Sequence, residues 1–123
     1  MTRPASQSDQ AEDDLRQFVK AWNEARFFDA HETLEPRWIR TRDRGLRGMI
    51  QLAAAFHHLS KGNKRGARIT LERAIMRLRD PENAPCQIDQ NKLAEYATSV
   101  LAELDTTVPE VIIPKRPRLK LPG

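Results

Sequence analysis

The sequence predicts an all-α protein, a compact bundle of about five helices with an extended, basic, proline-rich C-terminal tail. Apolar residues recur at helical spacing along most of the chain, and Gly, Pro or capping residues separate the periodic segments. The short apolar run at 108–114 is bounded by prolines and does not fit a sheet interior. At 123 residues, the chain is expected to form a leader at 1–8, one helical domain at 9–104 and the tail at 105–123.

The first two helices are predicted at about 9–26 and 28–42. Helix 1 carries one buried stripe at the i, i+3, i+4, i+7 spacing, formed by Leu15, Phe18, Val19 and Trp22. Pro36 lies inside helix 2 and removes one backbone donor. We therefore expect a kink there, or a break into two short helices.

Helices 3, 4 and 5 are predicted at about 46–61, 64–79 and onward from the cap residue Asp89. The middle of helix 3, MIQLAAAFHHL, is apolar on nearly every face, which indicates the most enclosed helix of the bundle. Gly62 is expected to end helix 3 in a left-handed conformation, with Asn63 capping helix 4.

Two polar residues interrupt the apolar stripe of helix 2. That stripe consists of Phe27, His31, Leu34, Glu35 and Trp38. His31 and Glu35 are one turn apart, and an unpaired buried carboxylate is costly, so Glu35 needs a partner. On helix 3, Gln51 and His58 lie two turns apart on one face. If helix 2 approaches that face, these four polar groups converge in a semi-buried pocket with Trp38 at its wall.

This pocket has two interpretations. In the structural one, Glu35 and a histidine form a hydrogen-bond network that fixes the helix register. In the functional one, His31, Glu35 and His58 bind a divalent metal ion, the pocket binds a small polar ligand, or the pair works in acid–base chemistry. A bound metal would lower the pKa of its water, with Glu35 or Glu32 as the proton acceptor. His57 lies about 100° around the helix and would reach this site only from its edge.

The sequence lacks several motifs that are specific for an enzyme class, so whether the protein is an enzyme stays open. HETLE begins like the zinc-protease motif HExxH but ends in Glu35, and the glycines of GLRG and GNKRG do not form a phosphate-binding loop. The single cysteine, Cys86, excludes an intrachain disulfide and fits a reducing compartment. No apolar run approaches the about 18 residues that span a bilayer. We expect a cytoplasmic protein without membrane contact.

Basic residues are concentrated in three stretches of this chain of net charge +4: at 37–47, at 61–79 and in the tail through Lys115, Arg116, Arg118 and Lys120. They are either solvated helix faces or a surface for an anionic partner. The second hypothesis for function is therefore a non-enzymatic interaction scaffold for a protein or a nucleic acid. Apolar residues such as Phe18 and Trp22 would serve a homo-oligomer interface as well as a core.

The segments WNEARFFDAHETLEPRW and GLRGMIQLAAAFHHLSKGNKRGA resemble the domain-of-unknown-function family 309 of bacteria and archaea. The hallmark of that family is a histidine, a glutamate and an aromatic residue, here His31, Glu35 and Trp38. Its second block is matched by Gln51, Ala53, His58, Gly62, Asn63, Gly66 and Ala67. The resemblance covers roughly 15–79. It implies an all-helical domain and a suspected metal-binding role for the His/Glu motif, and it supplies no activity.

Overall fold

Five α-helices form the protein in the computed structural model, which describes residues 7–84, 86–105 and 115–121, with side chains from residue 13. The helices are α1 (Gln7–Asn23), α2 (Phe27–Thr41), α3 (Arg44–Ser60), α4 (Lys64–Leu78) and α5 (Gln90–Leu104). The described residues contain no strand, so the all-α prediction is confirmed. Residues 1–6 and the apolar run at 108–114 lie outside the described residues. Gln7 and Ser8, which were expected in the leader, belong to α1.

The helix α2 runs without interruption through Pro36, so the predicted break into two short helices is wrong. Pro36 is exposed at the bundle surface. The helix ends at Arg42, which adopts the left-handed conformation with φ 58°. Its backbone N–H donates to the carbonyl oxygen of Trp38 at 2.6 Å, a helix stop usually made by glycine.

The predicted helix ends around α4 and α5 are confirmed. Gly62 has φ 75°, a conformation that costs glycine little. Asn63 Oδ1 accepts a hydrogen bond from the N–H of Gly66 at 2.9 Å, and Asp89 Oδ1 accepts from the N–H of Lys92 at 3.1 Å. Each cap satisfies one of the backbone donors left free at the start of a helix.

The helix α3 is the centre of the bundle, as its composition predicted. It packs against α2, α4 and α5, and it contributes more buried residues than any other described helix. From α1, Leu15, Phe18 and Trp22 enter the same core, with Val19 at its margin. Within the described part of the chain, no helix has the length and apolar character needed to cross a membrane.

The described part of the tail, 115–121, is extended and lies against the bundle. The indole nitrogen of Trp22 donates to the carbonyl oxygen of Pro117 at 3.0 Å, and Leu119 and Leu121 pack at the edge of the core. This segment thus folds back onto its own domain.

Candidate functional site

The polar residues of α2 lie at the margin of the core. The fully buried positions of this helix are Ala30 and Leu34. His31, Glu35 and Trp38 are each half-buried, on the edge of the face that meets the bundle. Because Glu35 keeps partial contact with solvent, it does not need the buried charged partner that its place in the stripe suggested.

Gln51 and His58 lie on the side of α3 that faces α4. Gln51 Oε1 accepts a hydrogen bond of 2.7 Å from Arg77 Nη1 of α4. The Nδ1 atom of His58 is 3.2 Å from Asn63 Nδ2, at the turn into α4. The structure therefore gives both polar side chains partners on the α4 side of the bundle. The four-residue pocket with α2 stays a prediction.

The histidine of α3 that contacts α2 is His57. Its ring centroid is 5.5 Å from that of Phe28, and the Phe28 ring is in turn 6.3 Å from the ring of His31. Phe28 is 54% exposed. A cleft of about 450 Å³ opens beside these rings, lined by residues 25–29, His57 and Ser60. Sequence reasoning gave His57 only an edge position, because it assumed that α2 meets the Gln51 face of α3.

Neither interpretation of the His/Glu pair has direct structural support. The Nδ1 atom of His31 is buried and has no hydrogen-bond partner among the described residues, so it is not part of a satisfied network. Among those same residues, no group of three or more His, Cys, Asp or Glu side chains is placed to hold a metal ion. His31, Glu35 and His58 are not such a group, and the metal site stays a prediction.

The third residue of the motif, Trp38, has two arginines over its ring. The guanidinium carbon of Arg42 lies 4.6 Å from the ring centroid and that of Arg47 lies 4.4 Å away. Both are cation–π distances. Arg42 follows the end of α2 and Arg47 lies in the first turns of α3, so the junction of these helices gathers positive charge on one indole.

Further arginines join them from α4. The pKa of Arg77 is lowered from its ordinary value, first by burial and then by the positive charges of Arg47, Arg73 and Arg44. We call Arg42, Arg44, Arg47, Arg73 and Arg77, together with Trp38, the arginine cluster. The charges that contribute most to the lowered pKa of Arg77 all belong to arginines. Its hydrogen-bonded partner, Gln51, is neutral.

One carboxylate is bound at the edge of the arginine cluster. Arg44 Nη1 donates to Asp80 Oδ2 at 2.8 Å, which raises the pKa of Arg44. Arg37, which belongs to the same basic stretch of sequence, instead approaches Asp14 of α1, with 4.0 Å between Nε and Oδ2. The sequence placed basic residues at 37–47 and 61–79 without connecting them. The spacing of Arg73 and Arg77, one turn apart on α4, was the available signal.

The fold and this site define a small all-α domain with a basic surface at the α2–α3 junction. Residues 15–70 match the family model described as domain of unknown function (DUF309), the family that the two sequence blocks indicated. The match includes Trp38 and Arg47 and ends before Arg73 and Arg77. No curated protein and no solved structure matches the chain.

Proposed function

We propose that this protein is a binding module that holds a phosphate-rich partner, a nucleic acid, on the arginine cluster. The observation that carries the proposal is the placement of Arg77, partly buried beside Arg47, Arg73 and Arg44 with a neutral amide as its partner. Neighbouring like charges repel, and the repulsion is stronger near a protein surface than in bulk water. A bound anion would offset that cost.

The chemistry of the cluster matches phosphate. A guanidinium offers several donors in a planar fork, which fits two oxygens of a phosphate at once. Contacts with Trp38 restrict the guanidinium groups of Arg42 and Arg47, so less side-chain freedom is lost when an anion binds. The half-buried indole of Trp38 also puts an aromatic group beside the bases of a bound nucleic acid, with its ring covered by the two arginines.

The test is binding of fluorescently labelled oligonucleotides, single-stranded and duplex, measured by anisotropy over a series of salt concentrations. We expect binding that weakens steeply with salt, since each phosphate contact releases counterions. Arg47→Gln should weaken binding several-fold and reduce the salt slope by about one. The matched control is Arg65→Gln, because Arg65 is exposed on α4, about 18 Å along the helix axis from Arg77.

Two outcomes would reject this function. One is absence of binding at low salt. The other is an equal loss from Arg47→Gln and Arg65→Gln, which would mean attraction to net charge without a site. A polyglutamate peptide that competes as well as the oligonucleotide would assign the surface to an acidic protein instead.

A further inference from the structure

A second surface of the protein, separate from the arginine cluster, lies along α1, where the segment 116–121 is held. The side-chain amide of Asn23 forms two hydrogen bonds with Leu119: its Nδ2 donates to the carbonyl oxygen at 2.9 Å, and its Oδ1 accepts from the N–H at 2.9 Å. Trp22 Nε1 donates to the Pro117 carbonyl. These three hydrogen bonds contact only main-chain atoms of the segment, as in a groove that binds an extended peptide.

Alternate side chains of the segment enter the groove. Leu119 and Leu121 pack against the core, whereas Arg118 and Lys120, on either side of Leu119, are exposed. This period of two is the pattern of an extended strand. The main-chain bonds thus fix the direction of the segment, and the inward side chains decide which sequences fit.

Arg116, on the other side of Pro117, also contacts the groove, although it does not share the period of Leu119 and Leu121. Its guanidinium carbon lies 4.9 Å from the ring centroid of Phe27 and 5.7 Å from that of Trp22. On the α5 side, burial raises the pKa of Tyr96 to about 12, and the positive charge of Arg116 opposes that rise. Aromatic residues of α1, α2 and α5 therefore surround a cation, an arrangement that selects Arg or Lys at this position of a bound peptide.

The segment does not complete the groove. The Nε atom of Arg116 is buried without a hydrogen-bond partner in the described part of the chain, which leaves its desolvation uncompensated. Leu119 and Leu121 remain half-buried. A cleft of about 430 Å³ stays open along α1 between Val19, Asn23 and Leu121. A peptide with a larger apolar residue at the last position would bury more surface.

We propose that this groove is a peptide-binding site for an extended partner segment of the form Arg-Pro-X-Leu-X-Leu, and that residues 116–121 occupy it as an intramolecular competitor. The occupant is a segment of another protein with this chemistry. The proposal is independent of the nucleic-acid function, because none of its contacts involves the arginine cluster.

The experiment uses the full chain and a labelled synthetic peptide with the sequence of residues 115–123, KRPRLKLPG. In the wild type, the tethered segment competes at an effective concentration on the order of millimolar. Leu119→Asp should release the tethered segment and lower the Kd for the free peptide at least tenfold. Adding Asn23→Leu should raise that Kd at least tenfold, while Asn91→Leu, at an exposed position of α5, should leave it unchanged.

Leu121→Asp is a second way to release the segment, in case Leu119→Asp disturbs folding, which circular dichroism would report. A scrambled peptide of the same composition must bind at least tenfold more weakly than KRPRLKLPG. Equal binding of both peptides, or no gain from releasing the segment, would overturn the proposal. It would also be overturned if both released variants unfold, since the segment would then be a permanent part of the core. A wild-type dimer that becomes monomeric in Leu119→Asp would make a second copy the occupant and contradict the partner assignment.

Discussion

Gly48 of α3 and Leu78 of α4 approach so closely that the structure has no room for a side chain between them. A Cβ atom at Gly48 would lie 2.9 Å from Leu78 Cγ, 3.0 Å from the Leu78 backbone nitrogen and 3.2 Å from the carbonyl oxygen of Ala74. Gln51 is one turn further along α3, so the same close approach places its amide next to Arg77. This contact explains why the Gln51 face of α3 meets α4.

The first prediction concerns this contact. Gly48→Ala should lower the free energy of unfolding by up to about 2 kcal/mol, because the overpacking penalty of about 1–3 kcal/mol exceeds the gain in helix propensity of about 1 kcal/mol. Urea denaturation measures the change. Leu78→Ala should cost less in the Gly48→Ala background than alone, since it removes one of the crowded atoms. Strictly additive effects would contradict the crowding.

The second prediction concerns the amide of Asn23. Asn23→Ala removes both hydrogen bonds to Leu119 and should lower the free energy of unfolding by about 1–3 kcal/mol. The segment should also open more often, so trypsin should cleave the bond after Arg118 faster under native conditions. Mass spectrometry of timed digests measures that rate. Asn91→Ala is the control, and equal rates in the two variants would show that the amide does not hold the segment.

The third prediction concerns pH. The carboxylate of Asp80 accepts hydrogen bonds from the N–H of Glu82 at 2.9 Å and from Arg44 at 2.8 Å, and these hold its pKa below the ordinary value. A lowered folded-state pKa stabilises the fold above the unfolded-state pKa, and that contribution is lost as the pH falls through the folded value. Relative to Asp80→Asn, the wild type should therefore lose stability below about pH 4.

Urea midpoints at a series of pH values from 6 to 3, measured for both chains, give the comparison. The difference between wild type and Asp80→Asn should shrink as the pH falls. A constant difference over this range would mean that Asp80 titrates alike in the folded and unfolded chains.

The fourth prediction concerns His31. Because its Nδ1 atom is buried without a partner, His31→Leu should leave the free energy of unfolding unchanged or raise it by up to about 1 kcal/mol. The hydrogen-bond network predicted from sequence requires a loss of several kcal/mol instead. Thermal and urea unfolding of the variant distinguish the two.

The predicted metal site has its own test. Protein purified without chelators is compared with His31→Ala by elemental analysis. Stoichiometric zinc or iron in the wild type that is lost in the variant would support the site. A wild type without metal, with full stability after substitution, would reject it.

The fold was predictable because its signals are local. The apolar period of α1, the all-round apolar character of α3, and the caps Asn63 and Asp89 each depend on residues within a few positions of one another. Pro36 was the exception among the local signals, since α2 continues through it and buries Leu34 in the core.

The site was less predictable, because it depends on which face of α3 meets which helix. The spacing correctly placed Gln51 and His58 on one face, but the choice of α2 as the neighbour was an assumption. The close approach at Gly48 decided for α4, and no periodicity encodes that choice. For the same reason, the sequence did not predict that Arg47 lies near Arg73 and Arg77, which are distant from it in the chain.

The fully buried indole of Trp22 obtains its hydrogen-bond acceptor from Pro117, 95 residues later in the chain. The helices pack largely on their sequence neighbours and can begin to assemble while translation continues. The Trp22 nitrogen stays without this acceptor until residue 117 has emerged from the ribosome. Docking of the segment 116–121 on α1 therefore follows the synthesis of all five helices.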